Sequence, residues 1–502
     1  MIDLLLIHGT VITMDQNRRI LQDGAVAIHQ GRILAVDLTE KLKSKYEAVK
    51  VIDCSHQCIL PGLIDVHGHG GHSMFKTIAM ENIDFWMPIM TNTYKHFVTD
   101  EFWYYEGKLS ALERLKAGVT TGVSVLGSMP RSDEPIFAIN HAKAYAEVGI
   151  REVVCTGPCN PPWPHSFSRW IDGKRVVKEV TYEEVLQGAE AVIEALNHAN
   201  EDRTRAFITP FVIVTSVDPS NPTSPDRLYG LTDHDLYQAK KIREIARKYN
   251  TRIHSDAFGG MIHLAIQDKE NALLGPDVHL QHCRGISFDE ARILAETGTN
   301  VSASPGFGQV HARTPITELL EMGATVAIST DGTSPSTSFD MFQAMRKTQF
   351  VHQAALRDYY YLPPGKLLEM ITIDAAKCIG WDDEIGSLEI GKKADVITVN
   401  LHQPHLTPEF MHVHRLVFQA VANDVEHVIV DGKLIMEGRN VRTVHESTVL
   451  DEANEEAFST IKRAGLEKYM QPTKYFWGHA RAYVDEKRYD EREDAAAMVK
   501  GE

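Results

Sequence analysis

The sequence predicts an α/β fold, a TIM (β/α)8 barrel with a small β-sandwich domain, and three observations indicate it. Residues 1–58 are short strand-like runs separated by turns. From Leu60 to about Trp381, short apolar runs alternate with longer amphipathic stretches, which is typical of repeated strand–helix units around a parallel sheet. Strand-like runs return after Trp381. We therefore expect the two ends of the chain to pair in the small domain and the middle to form the barrel.

These patterns divide the chain into three predicted parts. The small β-sandwich domain takes residues 1–58 together with residues 385–446. The barrel takes residues 59–384, and a helical C-terminal extension takes residues 447–502. The extension contains the stretch DEANEEAFSTIKRAGLEKYM, whose apolar spacing is that of an amphipathic helix.

Composition argues against several classes of protein. The 502 residues are 43% hydrophobic and 24% charged, as in an ordinary globular protein. The formal net charge of −16, without clusters of Lys and Arg, argues against a nucleic-acid partner, because phosphate binding needs a basic surface. No basic leader precedes the first apolar segment, and no uncharged apolar stretch approaches the roughly 18 residues of a membrane span. We expect a cytoplasmic protein that binds a small molecule and neither nucleic acid nor membrane.

The strongest motif is ILPGLIDVHGH, an apolar run that ends in His67 and His69. Side chains at positions i and i+2 of a strand face the same side, so these two imidazoles can bind one ion. The alternative is that they are two polar residues at the edge of a strand. The pair alone does not decide between the two interpretations.

Three later segments favour the metal site, because each is a predicted strand that ends in a residue able to bind a metal. The segments TRIHSD, DVHLQHC and TVAISTDG place His254, His282 and Asp331 at these ends. In a TIM barrel the reactive groups lie at the C-terminal ends of the strands, around one mouth. We predict one divalent metal ion, held by His67, His69, His254 and Asp331. Neutral imidazoles with a carboxylate suit zinc, our first expectation, or ferrous iron or cobalt, better than magnesium or calcium.

The motifs PGLIDVHGH, IHSD, LQHC and STDG, with the closing IGSLEIGKKADVITVN and VIVDGK, resemble the amidohydrolase superfamily over residues 1–445. More narrowly, the chain resembles the branch of triazine hydrolases and purine or cytosine deaminases. The resemblance implies a water molecule activated by the metal, with Asp331 passing a proton from that water to the leaving nitrogen. It implies that His282 polarises the carbon under attack, although in some relatives the matching histidine binds a second metal. It also implies a homo-oligomer.

One departure from the family bears on the substrate. Deaminases of this branch carry a Glu three residues after the third metal histidine, where this chain has Ala257. Asp256, one residue earlier, is a candidate replacement acid; the alternative is a hydrogen-bonding loop residue. We therefore expect hydrolysis of a non-peptide carbon–nitrogen bond in an amide, urea or carbamate-like compound, with aromatic substrates included. The alternative is deamination of a nitrogen heterocycle such as a purine, pyrimidine or triazine.

Two further interpretations complete the predictions. The segment CNPPWPHSFSRW suits a stiff loop over the pocket, and its Trp163 and His165 are candidates for binding the substrate. The alternative for both is simple packing of the loop. From a different class of protein, some members of the superfamily have lost their metal ligands and serve as structural assembly proteins. All four ligand positions are occupied here, which favours an enzyme.

Overall fold

Eight parallel strands form the centre of the computed structural model, which describes residues 1–80, 86–216, 230–306, 312–472 and 476–478. The strands of the described residues are β1 (Ile2–Ile12), β2 (Ile20–His29), β3 (Arg32–Leu38), β4 (Ala48–Asp53), β5 (Gln57–Pro61), β6 (Leu63–Asp65), β7 (His69–Gly70), β8 (Val119–Leu126), β9 (Arg151–Thr156), β10 (His165–Ile171), β11 (Lys174–Val180), β12 (Thr204–Ile208), β13 (Ile253–Phe258), β14 (Val278–Arg284), β15 (Asn300–Ala303), β16 (Val326–Ile328), β17 (Val396–Asn400), β18 (Val425–Val430), β19 (Lys433–Glu437) and β20 (Asn440–Val441).

The α-helices connect and cover these strands. They are α1 (Thr39–Lys45), α2 (Trp86–His96), α3 (Asp100–Lys116), α4 (Pro135–Val148), α5 (Tyr182–Leu196), α6 (Ala199–Asp202), α7 (Asp233–Lys248), α8 (Met261–Ala265), α9 (Phe288–Thr297), α10 (Ile316–Glu321), α11 (Met341–Leu356), α12 (Pro364–Glu369), α13 (Ile373–Cys378), α14 (His412–Phe418) and α15 (Glu446–Ala464). No helix among the described residues is both long and apolar enough to span a membrane.

The predicted TIM barrel is confirmed. The strands follow the order β6-β8-β9-β12-β13-β14-β15-β16, and each pairs with its neighbours in parallel, with the short β7 pairing beside β6 on β8. The segments after the first and last strands meet, since the Asp331 N–H donates to the His67 carbonyl at 3.0 Å. The ring is therefore almost closed, and its two ends meet at the residues predicted to bind metal.

The barrel strands form because they are apolar enough to be covered on both sides. All eight residues of β8, VTTGVSVL, are buried, as expected for a parallel strand between a filled interior and an outer layer of helices. Three outer helices begin at a capping box, in which a Ser or Thr and an acidic residue three positions later cap each other. These caps satisfy backbone N–H groups that the first turn of a helix leaves free.

The two ends of the chain meet in one sheet, as predicted. Its order is β20-β19-β18-β17-β5-β1-β2-β3, with β4 pairing in parallel with β1. Both faces of β1 are buried, because Leu4 and Leu6 pack in one apolar cluster and Leu5 and Ile7 in another. Beyond this sheet, α15 begins at Glu446, next to the start of the predicted helical extension. Residues 473–475 and 479–502 of that extension lie outside the described residues.

A buried ion pair joins the barrel to this sheet. Arg151, the first residue of β9, donates from Nε to Asp395 Oδ2 at 2.6 Å and from its terminal nitrogen to Oδ1 at 3.0 Å. Asp395 directly precedes β17. Both side chains are almost fully buried, so removing one partner would leave an uncompensated charge at a cost of about 3–5 kcal/mol. The pair thus holds the orientation of the sheet against the barrel.

Candidate metal centre

The residues predicted to bind metal meet at the barrel mouth. Asp331 Oδ1 lies 3.7 Å from His67 Nε2 and 3.2 Å from His69 Nε2. His67 Nδ1 lies 2.8 Å from His254 Nε2. The donor atoms of His67, His69 and Asp331 all lie within 4.8 Å of one another. Side chains from three barrel segments thus converge, with His254 beside the Nδ1 of His67, and their role as ligands stays a prediction.

The position of His254 within its strand differs from the prediction. The sequence suggested that the strand ends at this histidine, but β13 continues to Phe258 and His254 is its second residue. The strand is prolonged because it pairs in parallel with β14 as far as Phe258, which lies opposite Arg284. On its other side, Val212 bridges Asp256. Two residues of one strand, His254 and Asp256, therefore face the barrel interior.

The cluster fits a divalent metal ion. Among the residues that the structure describes, the buried His67 Nε2 and His254 Nδ1 have no hydrogen-bond partner, which is costly unless another group satisfies them. Tetrahedral zinc with bonds of about 2.0–2.1 Å brings its ligand atoms to about 3.3 Å from one another. The distances from the Asp331 carboxylate to the two histidines bracket this value. The donor set and its spacing are those of a transition-metal site rather than of a calcium or magnesium site.

The electrostatics keep His254, His282 and Asp331 in the forms that bind a metal ion. Burial holds the pKa of His254 and of His282 well below its ordinary value, so both imidazoles are neutral and able to bind metal. Burial alone would raise the pKa of Asp331, but the adjacent imidazoles of His67 and His69 hold it well below its usual range. Asp331 is therefore a carboxylate.

Neighbouring groups fix the orientation of the ligands. His69 Nδ1 donates to the Gly127 carbonyl at 2.7 Å. Asp331 accepts from Ser304 Oγ at 3.1 Å and from the Gly332 N–H at 2.7 Å. Asp331 also has a positive φ of 66°, a conformation that L-residues rarely adopt and that often marks functional sites. Such supporting contacts hold the rings and the carboxylate in place.

Close packing against His72 explains why glycine follows Asp331. The ring of His72 stacks on His69 with centroids 4.6 Å apart. A Cβ at Gly332 would lie 1.8 Å from His72 Nδ1, far inside van der Waals contact. The STDG motif therefore requires glycine at its last position for steric reasons.

A buried ion pair behind the site was missed by the sequence analysis. Arg114 in α3 donates to Asp65 Oδ2 at 2.9 Å, and both side chains are almost fully buried. Asp65 in turn accepts from the Thr330 N–H at 2.9 Å and from Thr330 Oγ1 at 2.7 Å. The pair thereby ties the segment of His67 to the segment of Asp331. The Asp of the motif LIDVHGH was a signal for it, but the sequence does not name the distant partner.

His282 and Asp256 lie together beside the ligands. His282 Nε2 is 3.7 Å from Asp256 Oδ2 and 3.9 Å from Asp331 Oδ2. Its ring stacks on Phe258, with centroids 5.5 Å apart. Burial raises the pKa of Asp256 to about 6, although the nearby histidines act against this. His67, Asp256 and His282 form a second set of donor atoms within 4.8 Å of one another.

A cation near the mouth was also absent from the sequence predictions. Arg284, at the end of β14, places its guanidinium over the Phe258 ring at 5.2 Å. Burial lowers its pKa, while the charges of Asp331 and Asp256 act to raise it. Its spacing of two residues from His282 is the only signal that the sequence offered.

Trp163 and His165 contact each other and residues other than the predicted metal ligands. The two rings contact each other with centroids 4.5 Å apart, and Trp163 also packs against Tyr182. His165 Nε2 donates to the Asn160 carbonyl at 2.7 Å, and its Nδ1 lies 3.2 Å from Lys95 Nζ. In the described part of the chain, neither ring makes a hydrogen bond, ion pair or ring contact with a predicted metal ligand. These contacts resemble the packing alternative, and substrate binding by the two residues stays a prediction.

Comparison with known proteins agrees with this geometry. Among curated proteins, the chain is 28% identical over 470 residues to a 5-methylthioadenosine/S-adenosylhomocysteine deaminase of Syntrophobacter fumaroxidans, covering 89% of this chain and 96% of the relative. It is 27% identical over 477 residues to a 5'-deoxyadenosine deaminase of Methanosarcina mazei, covering 92% and 99%.

Solved structures share the fold. An adenosine deaminase from Xanthomonas campestris with bound zinc has a TM-score of 0.76 at 19% identity, over 92% of this chain and 99% of the other. An atrazine chlorohydrolase from Arthrobacter aurescens complexed with zinc has a TM-score of 0.75 at 18% identity, over 90% and 100%. The model of the amidohydrolase family matches residues 58–435. The resemblance carried by the sequence motifs is thus confirmed, and the chain belongs to the amidohydrolase family.

Proposed function

We propose that this chain is a zinc-dependent aminohydrolase that removes an amino group from a nitrogen heterocycle of the adenosine type. The observation that carries the proposal is the position of Asp256. Its carboxyl group lies 3.7 Å from His282 and within the ligand cluster, where it can replace the glutamate missing at Ala257. Relatives that span about nine-tenths of the chain are named as deaminases of adenosine derivatives, which favours this reaction over cleavage of an open amide.

The predicted ligands His67, His69, His254 and Asp331 would hold the metal ion. When bound, the ion would supply an activated water molecule and a Lewis acid. Zinc is the metal that we propose, because three imidazoles and a carboxylate suit it and the two similar solved structures hold it. Metal analysis of purified protein by mass spectrometry tests the choice between zinc, iron and cobalt.

Each side chain then has a defined task. The Asp331 carboxylate, oriented by Ser304 and Gly332, accepts a proton from the attacking water and delivers it to the leaving amino group. His282 orients the oxygen of the attacking water and stabilises its negative charge as it adds to the ring carbon. Asp256 donates a proton to the ring nitrogen beside that carbon. The first proton of the water thus leaves with ammonia. The second proton returns to Asp256 as the carbon–oxygen double bond forms, and the proton that Asp256 donated stays on the ring nitrogen.

Asp256→Asn tests the proposal directly. We expect adenosine-type nucleosides to release ammonia with the wild type, followed by the change in ultraviolet absorbance. The variant should lose about 10²-fold or more in kcat, since a general acid contributes about that much. Metal content is the control, because an amide of the same size should leave binding by the other side chains intact. Unchanged deamination by a metal-loaded Asp256→Asn protein would contradict the role of Asp256.

A second candidate function is hydrolysis of an amide, urea or carbamate-like compound. It is favoured by Ala257, because hydrolysis of an open carbonyl group does not require protonation of a ring nitrogen. Parallel assays of aryl amides, ureas, carbamates and thiocarbamates distinguish the two. Turnover of these compounds alone, insensitive to Asp256→Asn, would replace deamination as the function.

We also propose that the protein is a homo-oligomer, as the family resemblance implied. Two apolar side chains on α15, Leu450 and Phe458, are exposed and suit a contact between subunits. Sedimentation of the wild type against Leu450→Glu/Phe458→Glu tests this. A wild type that sediments as a monomer would contradict the proposal.

A further inference from the structure

A second group of metal-binding side chains lies on the sheet that joins the two ends of the chain. It consists of His56, His402 and Glu409, whose donor atoms all lie within 4.8 Å of one another. We propose that these three residues form a separate binding site for a divalent transition-metal ion such as zinc or copper. None of them belongs to the barrel mouth, so the proposal goes beyond the aminohydrolase reaction and does not depend on it.

The pairing of two strands brings the histidines together. Strands β5 and β17 are antiparallel, with Gln57 opposite Asn400, and His56 immediately precedes β5. The Leu401 N–H donates to the His56 carbonyl at 2.9 Å and prolongs this register by one step. His402 is the next residue, and the two imidazole rings lie with their centroids 4.9 Å apart. The backbone therefore presents both rings on one side before any ion binds.

Glu409 completes the group from the loop that follows. Its Oε1 lies 3.0 Å from His56 Nδ1 and 4.0 Å from His402 Nδ1. These separations bracket the roughly 3.3 Å between ligand atoms of a tetrahedral zinc ion. Because the three side chains are 55%, 72% and 47% exposed, they have room to adjust, and water can fill the fourth position.

The chemistry of the donors selects the ion. Imidazole nitrogens favour zinc, copper and nickel, whereas calcium and magnesium prefer sites built from oxygen ligands alone. A bound ion would connect the turn between β4 and β5 to the loop that carries Glu409. Without an ion, the His56–Glu409 contact is an exposed ion pair, which contributes little to stability.

Metal stoichiometry tests the site. The full-length protein, stripped with a chelator and titrated with Zn²⁺ alone in equilibrium dialysis, should bind two equivalents. His56→Ala/His402→Ala should bind one equivalent and keep wild-type turnover. A matched control, His414→Ala/His445→Ala, removes two histidines outside the cluster and should still bind two. The same number of equivalents in the wild type and in the His56→Ala/His402→Ala protein would overturn the proposal, whatever the barrel mouth binds.

A spectroscopic measurement separates this site from the barrel site. With Cu²⁺ as the probe, electron paramagnetic resonance of the second equivalent should show hyperfine coupling to two imidazole nitrogens. Glu409→Gln should lower the affinity for the second Cu²⁺ ion at least about tenfold, by comparison with the effect of lost supporting groups at metal sites. A signal that persists in His56→Ala/His402→Ala would assign the copper to other groups and exclude this site.

Discussion

The two histidine–carboxylate clusters of this protein use the same ligand types in opposite surroundings. At the barrel mouth, the His67 side chain is 1% exposed and Asp331 is 29% exposed. On the sheet, His56 is 55% exposed and Glu409 is 47% exposed. Burial at the mouth keeps the imidazoles of His254 and His282 neutral and strengthens every charge interaction, which catalysis requires. The comparison teaches that ligand identity defines which ion binds, and burial defines what the ion can do.

The largest expected effect contrasts the two clusters directly. His67→Ala should lower kcat/KM by about 10³-fold or more, because water activation and the Lewis acid are lost together. His56→Ala makes the same chemical change in the exposed cluster and should leave turnover unaltered. Steady-state kinetics of both variants, on a substrate identified in the assays proposed above, measure the two effects. Equal losses of kcat/KM in the two variants would contradict the functional difference between the two clusters.

The next largest effect concerns the buried Arg114–Asp65 ion pair behind the barrel mouth. Arg114→Met should lower the free energy of unfolding by about 3–5 kcal/mol, because it leaves the buried Asp65 carboxylate without its partner. The control is Lys41→Met, which breaks an exposed pair with Asp37 and should cost about 0–1 kcal/mol. Urea denaturation followed by circular dichroism measures both. If Arg114→Met lowers the free energy of unfolding by less than about 1 kcal/mol, the fold tolerates an unpaired Asp65 carboxylate.

A buried histidine near the mouth predicts how stability depends on pH. His141 lies between Glu152 at 2.6 Å and Glu106 at 2.9 Å, and Glu106 also accepts from the Ser73 N–H. Burial alone would lower the pKa of His141, but the two carboxylates outweigh it and raise the pKa to about 9. The stabilisation is complete below the unfolded value of about 6.5 and is lost as pH rises through 9.

Stability should therefore fall between about pH 6.5 and 9, by an amount on the order of 3 kcal/mol. His141→Gln cannot titrate and should show a flatter profile over the same range. Denaturation in urea at half-unit steps of pH gives the two curves. Parallel curves for wild type and His141→Gln would contradict the charged state of this histidine.

The smallest effect tests the packing between Gly332 and His72. Gly332→Ala should lower kcat/KM by about 10–100-fold, since the new methyl group must displace His72 or Asp331. Adding His72→Ala should recover part of the loss by removing the clash. The matched control is Gly365→Ala, because no atom of the described residues lies within 4 Å of a Cβ added at that position. Full activity of Gly332→Ala would show that the His72 ring moves aside freely.

Much of the architecture was predictable from local patterns. Strand–helix alternation predicts the barrel, and the HGH and STDG motifs predict which strand ends meet. The extent of β13 was not predictable, because its pairing with β14 as far as Phe258 is a contact that no local pattern records. Arg114 and Arg284 were missed for the same reason: their partners are distant in the sequence. Asp256 was named, and its position two residues after His254 explains how it faces the interior.

The bond from the Asp331 N–H to the His67 carbonyl has a consequence for synthesis of the chain. It joins the segment after the first barrel strand to the segment after the last, and the predicted ligands come from both. A nascent chain that lacks the last strand has no complete ligand set, however well its earlier strands are formed. We therefore expect the chain to bind the metal only after the last barrel strand has formed, and we expect unfinished chains to lack catalytic activity.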